Sequence, residues 1–416
     1  MQKIKTYKEI KHTPPRHINN IKKITNIIRY IKKYKDDGLV KLTQKYENRK
    51  LKKAHIQVKI NQLPHWKIQP TLKTTINNCK NRIVKFHKTQ HKNLRPKNWL
   101  LKTKTTIIGQ KITPIRRVGL YIPGGNRIYP SSILMNTIPA IIAGVPKIAL
   151  VTPAMIAEQT KVLIYTAKIM NIKTIYNIGG AQAIAALTLG TKRVPQVNKI
   201  IGPGNKYVNL AKKTLSGIIG IDMLAGPTEI GILIDKKSHT KKIISELLAQ
   251  LEHDKNCAAF IISCSKKKLN YIRNKLTQIH KNLLNVTLRS SLNRITFILE
   301  KDIHKQARII NNLAPEHLSI LTQYKKILKY IRNSGSIISG KYNSSSLSDY
   351  SIGTNHVLPT CKTSKFNSTL NTTQFTTIKN ISIVKTPHQQ LNKIAKNMAK
   401  IEQLQFHEQN IWQKYT

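Results

Sequence analysis

One supersecondary unit recurs along the middle of the chain and limits the folds that are open to it. Between residues 118 and 234 a short β-branched segment leads into a glycine- or proline-containing turn and then into an alanine-rich segment of helical character. The unit returns at intervals of roughly 25 to 30 residues, which is typical of βα units and a parallel sheet. The helices expected in the four units are residues 131–143, 156–170, 181–189 and 207–215.

Periodic segments also flank these units on both sides. Isoleucines recur at helical spacing over residues 21–34 and again over 72–87, so residues 1–110 are expected to be mostly helix. Residues 343–349 are expected to form an exposed loop, and residues 391–415 one or two amphipathic helices. Downstream of the four units, strands are predicted at 230–234, 258–263 and 318–321, and helices at 241–253, 267–280 and 306–312.

These patterns predict an α/β protein with two Rossmann-like parallel-sheet domains, and with helical N-terminal and C-terminal segments. Three glycine-rich turns follow predicted strands, at Pro123-Gly-Gly125, Gly179-Gly-Ala-Gln182 and Gly202-Pro-Gly-Asn205. None matches the GxGxxG dinucleotide fingerprint, and each alone could be only a tight turn between strand and helix. Three in succession favour a cofactor or a phosphate-bearing ligand, because glycine lets a ligand approach the backbone.

The charge of the chain suggests a polyanion partner, but its distribution has a simpler explanation. Lys and Arg number 72 against 17 acidic residues, which gives a formal net charge of +55. The basic residues are spread over the whole chain and aromatic residues make up only 6%, whereas nucleic-acid-binding proteins concentrate both on one surface. We favour a solvated basic surface produced by codon usage, with at most non-specific contact to nucleic acid.

Other classes of protein are excluded by what the sequence lacks. The four cysteines form no CxxC pair, which argues against a disulfide scaffold, a zinc ribbon and an iron–sulfur cluster. No apolar run reaches the roughly 18 residues of a membrane span, and the basic N-terminus lacks the apolar core of a secretory signal. We therefore expect a cytoplasmic protein with no membrane partner.

Two pairs of polar residues are candidates for chemistry. Gln250 and His253 are three residues apart on a predicted helix, so they share a face and could offer two ligands to Zn²⁺. The alternative is a surface helix end with a histidine near the negative end of the dipole. Glu316 and His317 follow a proline and could together activate water and shuttle protons. The alternative is a first helical turn with Glu316 at its positive end.

Two further pairs are less informative. Asp349 and His356 lie in a polar segment at 348–359, and Glu402 and His407 lie near the C-terminus. Their spacing does not contradict the plain interpretation, in which both pairs belong to a solvated surface.

Taken together and in order, seven motifs resemble those of the histidinol dehydrogenase family. The resemblance extends from about residue 20 to the end and is strong from residue 117 to residue 360. The motifs are Val118-Gly-Leu-Tyr-Ile-Pro-Gly-Gly125, Gly179-Gly-Ala-Gln-Ala-Ile-Ala-Ala-Leu187, Gly202-Pro-Gly-Asn205, Ile221-Asp-Met-Leu-Ala-Gly-Pro-Thr-Glu229, Gln250-Leu-Glu-His-Asp254, Ala314-Pro-Glu-His-Leu318 and Gly353-Thr-Asn-His-Val-Leu-Pro-Thr360.

The resemblance implies an activity and a set of site residues. It implies the oxidation of L-histidinol through L-histidinal to L-histidine, the last step of histidine biosynthesis, with two NAD⁺ and one Zn²⁺ per active site. Glu316 would activate water, and His317 would act as acid and base and contact the substrate. The Zn²⁺ ligands, which also bind the substrate, would be Gln250, His253, Asp349 and His407. Further substrate contacts would come from Thr228 and Glu402, and Tyr121, Gln182 and Asn205 would line the NAD⁺ site.

The resemblance also implies how the chain is divided and how it assembles. Residues 1–20 would be an N-terminal extension, and residues 121–229 a Rossmann-like NAD-binding domain. Residues 21–120 and 230–370 would form one discontinuous α/β domain that carries the catalytic and metal residues. Residues 371–416 would be a tail that reaches the partner subunit of a homodimer, so that the two active sites are shared. The alternative function is a degenerate dehydrogenase scaffold that acts as a basic polyanion-binding protein.

Overall fold

The computed structural model describes residues 4–5, 20–64, 66–124, 128–153, 157–322, 324–386 and 388–411. The chain divides into two compact units. The first, here called the core unit, comprises Met1–Leu94 and Ile115–Phe375, and the second unit comprises Arg95–Pro114 and Thr376–Thr416. Within the described part of the chain, no helix is both long enough and apolar enough to cross a membrane.

The described strands are β1 (Ile4–Lys5), β2 (Gln57–Lys59), β3 (Trp99–Lys102), β4 (Thr106–Pro114), β5 (Arg117–Tyr121), β6 (Lys147–Val151), β7 (Thr174–Tyr176), β8 (Lys199–Ile201), β9 (Gly220–Ile221), β10 (Glu229–Ile234), β11 (Ala258–Ser263), β12 (Ile295–Leu299), β13 (His317–Ile320), β14 (Ser336–Ser339) and β15 (Thr376–Val384). The described α-helices are α1 (Ile21–Glu47), α2 (Pro70–Leu94), α3 (Pro130–Ile142), α4 (Ala157–Ile169), α5 (Gly180–Leu189), α6 (Lys206–Leu215), α7 (Thr240–Leu251), α8 (Lys266–Asn282), α9 (Val286–Leu292), α10 (Ile303–Leu313), α11 (Tyr324–Leu328), α12 (Ser345–Tyr350), α13 (Gln389–Ile401) and α14 (Gln405–Asn410).

The four βα units form the first sheet of the core unit, as predicted. Its strand order is β2-β7-β6-β5-β8-β9. All its pairings are parallel except that of β2 with β7. The central strand β5 is buried from Val118 to Tyr121, because helices cover both faces of a parallel sheet of this kind. Helices α3, α4, α5 and α6 lie within a few residues of the predicted ranges.

The second sheet is parallel throughout and has the order β1-β12-β11-β10-β13-β14. The prediction of a parallel α/β arrangement is confirmed here too. The prediction of an exposed loop at 343–349 is wrong, because this segment contains α12. The side chain of Ser344 accepts the backbone N–H of Leu347 and caps that helix, while Ser345 and Ser348 are buried.

The N-terminal helices pack on the first sheet. Ile24, Ile31 and Leu39 of α1 share a buried cluster with residues of the first sheet and of α5. Ile83 of α2 joins a second cluster with residues of α3. Strand β5 belongs to the first sheet, and both helices pack their apolar faces against that sheet.

The second unit contains a three-stranded antiparallel sheet of order β15-β4-β3. Strand β15 pairs with β4 along its whole length, from Thr376 opposite Pro114 to Val384 opposite Thr106. The expectation that residues 1–110 are mostly helix is wrong for β1, β2, β3 and the part of β4 within that range. Likewise, the segment after residue 371 is not wholly helical, although the amphipathic helices predicted at its end are present as α13 and α14.

Candidate active site

A cavity of about 250 Å³ in the core unit is lined by six of the residues to which the family resemblance assigns a role. It lies where the carboxyl ends of first-sheet strands meet the amino ends of second-sheet strands. Pro123 and Pro203 follow β5 and β8, whereas His317 is the first residue of β13. The general preference of ligands for carboxyl ends of strands thus holds for the first sheet only. The six residues are Thr228, Gln250, His253, Glu316, His317 and Asp349.

Helices α7 and α12 bring Gln250 and Asp349 together. The side-chain amide of Gln250 donates to Asp349 Oδ2 at 3.3 Å. One turn earlier on both helices, the Glu246 carboxylate accepts the backbone N–H of Ser345 at 3.1 and 3.2 Å. Because residues four apart share a helix face, the two contacts join the same faces of the two helices at positions one turn apart. His253 lies two residues beyond the end of α7 and reaches the same cavity.

Glu316 and His317 stand at the start of a strand, so the interpretation as a helical first turn is wrong. Ala314 adopts a left-handed conformation with φ of 47° and ends α10, and Pro315 separates it from the pair. His317 Nε2 lies 3.8 Å from Glu316 Oε1. The carboxylate also accepts the backbone N–H of Glu229 at 3.2 Å. Both side chains line the cavity, as is required if the pair is to activate water together.

Burial sets the protonation of this pair. It raises the pKa of Glu316 well above its ordinary value, and the neighbouring carboxylates of Glu229 and Asp349 act in the same direction. Burial lowers the pKa of His317 to about 3, so its imidazole is neutral near pH 7. Among the described residues, the buried Nδ1 of His317 has no hydrogen-bond partner, which leaves it for a ligand in the cavity.

His356 also lines this cavity, although the sequence suggested a solvated surface for it. Its Nδ1–H donates to the carbonyl oxygen of Asp349 at 3.0 Å, which leaves Nε2 as an acceptor. Burial lowers the pKa of His356 to about 4. The signal that could have identified it is the motif from Gly353 to Thr360, which contains His356 and follows α12.

A second cavity, of about 570 Å³, contains Tyr121, Gln182 and Asn205. The Tyr121 hydroxyl accepts the backbone N–H of Gly180 at 3.2 Å, and burial raises the pKa of Tyr121 to about 12. Gln182 donates to Glu47 Oε1 at 3.0 Å, and the Asn205 side chain caps α6. The three glycine-rich turns meet here as far as they are described, since Gly124 and Gly180 line the cavity and Gly125 lies outside the described residues.

One of these glycines is required by the fold itself. Gly202 has a φ of 117°, and a Cβ on it would lie 2.1 Å from the carbonyl oxygen of Tyr121. A buried ion pair between Lys212 and Asp222 holds this turn in place. Lys212 Nζ also donates to the carbonyl of Gly202 at 3.1 Å, and Asp222 accepts the N–H of Gly202 at 2.8 Å. No sequence motif marks this pair as an ion pair, because its members are ten residues apart.

Comparison with known proteins agrees with this geometry. The family model described as histidinol dehydrogenase matches residues 12–415. The chain belongs to the histidinol dehydrogenase family. It is 40% identical over 359 residues to the histidinol dehydrogenase of Pelagibacter ubique (strain HTCC1062), covering 84% of this chain and 82% of the relative. It is 32% identical over 394 residues to that of Aquifex aeolicus (strain VF5), covering 93% and 90%.

A solved structure supports the same membership. The crystal structure of histidinol dehydrogenase from Elizabethkingia anophelis superposes with a TM-score of 0.86 at 28% sequence identity. The match covers 97% of this chain and 94% of that one. The α/β architecture with two mainly parallel sheets is therefore that of the histidinol dehydrogenase family.

The donors expected to hold a metal in a histidinol dehydrogenase are present only in part within the first cavity. Gln250, His253 and Asp349 line it, and burial raises the pKa of Asp349 to about 7. Over the described ranges, no three His, Cys, Asp or Glu side chains are grouped closely enough to hold a metal ion by themselves. Glu402 and His407 belong to the second unit, where they lie at the end of α13 and in α14 and are exposed.

Proposed function

We propose that this chain oxidises L-histidinol through L-histidinal to L-histidine, with two NAD⁺ and one Zn²⁺. The observation that carries the proposal is the convergence of a Glu–His pair with Gln250, His253 and Asp349 on one cavity of about 250 Å³. Oxidation of an alcohol to an acid needs two hydride departures, one water addition and a base at each stage. The residues of this cavity are of the types that can supply the base and activate the water.

The residues of the cavity fit a zinc ion. They offer an amide oxygen, an imidazole nitrogen and a carboxylate oxygen, which are accepted ligand types for Zn²⁺. Asp349 is a carboxylate whose charge is disfavoured by burial, and a cation would offset that penalty. Bound there, Zn²⁺ would hold and orient a substrate that carries imidazole and amino nitrogens.

His317 and Glu316 would act as the bases that accept protons during the reaction. The neutral imidazole of His317 can accept the proton of the substrate hydroxyl. Its Nδ1 has no hydrogen-bond partner among the described residues, whereas its Nε2 lies 3.8 Å from Glu316 Oε1. Glu316, whose raised pKa makes its carboxylate a stronger base than an exposed one, would take the proton of the water that adds to the aldehyde. Thr228 lines the same cavity, where its hydroxyl acts to lower the pKa of Glu316, and it would contact the substrate.

The second cavity would receive NAD⁺, which supplies uptake of one hydride in each oxidation. Tyr121, Gln182 and Asn205 line it beside the N-termini of α5 and α6. Helix N-termini present unpaired backbone N–H groups and a partial positive charge, which suit a pyrophosphate.

We also propose that the active site is completed by a second copy of the chain. His407, the fourth zinc ligand that the family resemblance implies, belongs to the second unit rather than to the core unit. His407 of a partner subunit would supply that ligand, and Glu402 of the same tail would contact the substrate. Such a site exists only in a homodimer with shared active sites.

The test is spectrophotometric. L-histidinol and NAD⁺ are added to protein reconstituted with zinc, and NADH absorbance is followed from about pH 7 to pH 9. We expect two NADH for each L-histidine formed. The absence of NADH at every pH would remove the proposal and leave the polyanion-binding alternative, which predicts a steep loss of DNA binding as salt rises.

A further inference from the structure

The second cavity contains a carboxylate that has no part in the chemistry above. Glu47, the last residue of α1, lines it together with Tyr121 and Gln182. Its side chain is 19% exposed, so it is largely enclosed yet still open to the cavity. The chain has only 17 acidic residues against 72 basic ones, and Glu47 is the one described acidic residue that lines this cavity.

Its neighbours hold this carboxylate in place without saturating it. Oε1 accepts from the Gln182 amide at 3.0 Å, and Oε2 accepts from Arg49 Nη2 at 3.0 Å. Arg49 in turn donates to the carbonyl oxygen of Asn177 at 3.3 Å, which fixes the guanidinium. Since a carboxylate offers about four acceptor positions, about two remain for a ligand. Gly179 leaves room beside Oε1, because a Cβ there would lie only 3.3 Å from it.

The position of the two cavities indicates which half of a dinucleotide meets Glu47. Pro123 lines the cavity with the Glu–His pair and Gly124 lines the second cavity, so one turn separates them. Likewise, Pro203 lines the cavity with the Glu–His pair and Asn205 lines the second cavity. The nicotinamide must approach the Glu–His pair to receive a hydride, and the adenosine half then remains in the second cavity with Glu47.

We propose that Glu47 binds the 2′-hydroxyl group of the adenosine ribose and thereby selects NAD⁺ over NADP⁺. This inference rests on the proposed use of a dinucleotide. A carboxylate that accepts the 2′-hydroxyl repels a 2′-phosphate at the same position, which is how acidic residues discriminate between these cofactors in other nucleotide-binding folds. Here the acid comes from the end of a helix outside the sheet rather than from the end of a strand.

The partner of Glu47 gives the inference a second consequence. Arg49 is neutralised by Glu47, and Lys23 lines the same cavity with its Nζ 4.8 Å from the centre of the Tyr46 ring. If the carboxylate becomes an amide, Arg49 loses its ion partner and can pair with a 2′-phosphate. Glu47→Gln is therefore expected to weaken NAD⁺ binding and to strengthen NADP⁺ binding.

Calorimetric titration without histidinol tests this directly. The ligands are NAD⁺, NADP⁺ and an NAD⁺ that lacks the adenosine 2′-hydroxyl. Glu47→Gln should bind NAD⁺ about tenfold more weakly, as expected for a lost hydrogen bond to a charged group. It should bind the 2′-deoxy cofactor as weakly as the parent protein does, and NADP⁺ more tightly. Glu47→Asp, which keeps the charge, should still reject NADP⁺.

The matched control is Asp37→Asn, which removes one negative charge from an exposed position on the same helix. It should leave the ratio of NAD⁺ to NADP⁺ affinity unchanged. The inference is overturned if Glu47→Gln weakens NAD⁺ and the 2′-deoxy cofactor equally, because Glu47 would then only position Gln182. A parent protein that binds NAD⁺ but oxidises no histidinol would contradict the proposed function alone, whereas one that binds no dinucleotide would overturn both.

Discussion

Glu316 and His317 show how burial, more than residue type, sets the proton chemistry of single residues in this chain. The two side chains are adjacent, and enclosure favours the neutral form of each, which raises one pKa and lowers the other. His317 Nε2 and Glu316 Oε1 lie 3.8 Å apart.

Replacing Glu316 should separate the two oxidation steps. In Glu316→Gln the water that adds to the aldehyde loses its base, so oxidation of supplied L-histidinal should slow by about 10²- to 10⁴-fold. The first step, from alcohol to aldehyde, should be affected less. Stopped-flow NADH formation with each substrate measures both rates, and Glu252→Gln, an exposed acid after α7, is the control. Oxidation of L-histidinal at the parent rate would show that Glu316 does not activate the water.

At the scale of elements, the pairing of α7 with α12 determines where Asp349 lies. Helix α12 has only six residues, which is too short to be stable without external contacts. The backbone N–H of Ser345, its first residue, donates to the buried carboxylate of Glu246, and Asp349 in its last turn accepts from Gln250. Glu246 is thus a positioning residue for a proposed metal ligand that it does not touch.

Glu246→Ala should weaken zinc binding by about 10- to 100-fold, the range seen when partners behind metal ligands are removed. Competition with a fluorescent chelator measures the affinity. Glu246→Gln keeps an acceptor for Ser345 and should recover most of it, while NAD⁺ binding should stay unchanged in both. Equal zinc affinity in the parent and in Glu246→Ala would mean that α12 is held by other contacts.

The sequence was informative for elements that are periodic over their own length. The four βα units and the helices α1, α2 and α13 were predictable because burial on one face imposes a repeat on neighbouring residues. Strand β15 was not, since it pairs with β4 from a distant part of the chain and is mostly exposed, so no apolar pattern marks it. In the site, Gln250, Glu316 and His356 stand in recognisable motifs, whereas Glu246 acts through a contact with Ser345 that only the folded chain brings together.

At the scale of the whole molecule, buried neutral histidines make the stability of the fold depend on pH. His87 is fully buried, with Nδ1 2.9 Å from Gln90 and Nε2 3.0 Å from Asn355, and burial lowers its pKa below 6.5. A group with a lowered basic pKa stabilises the fold fully above its unfolded pKa. That contribution is lost as the pH falls below about 6.5.

The parent should therefore lose more stability than His87→Gln between pH 7.5 and pH 5.5, by up to about 1.4 kcal/mol per pH unit. Urea denaturation of both proteins at each pH measures the difference. Comparing the variant with the parent is necessary because Asp349, whose pKa burial raises to about 7, has the opposite dependence. His55→Gln, at an exposed position, should behave like the parent. Identical pH dependence in the parent and in His87→Gln would contradict this account.

Subunit sharing can be tested by mixing two inactive variants. If His407 acts in the partner's site, a dimer of one Glu316→Ala and one His407→Ala subunit contains one intact site. Random pairing should then restore about a quarter of the parent activity. Each variant expressed alone should be inactive. No recovery in co-expressed, co-purified dimers would place His407 in the site of its own subunit or outside both sites.

The turns at Pro123–Gly124 and Pro203–Asn205 give the two cavities entirely different walls: no described residue lines both. A reaction that uses two NAD⁺ for one amino alcohol must release the first NADH between its two oxidation steps. Because the linings are separate, the reduced dinucleotide can leave the second cavity and an oxidised one can bind while the aldehyde stays in the first cavity. The proline and glycine turns would thus keep a labile aldehyde bound while NADH is exchanged for NAD⁺.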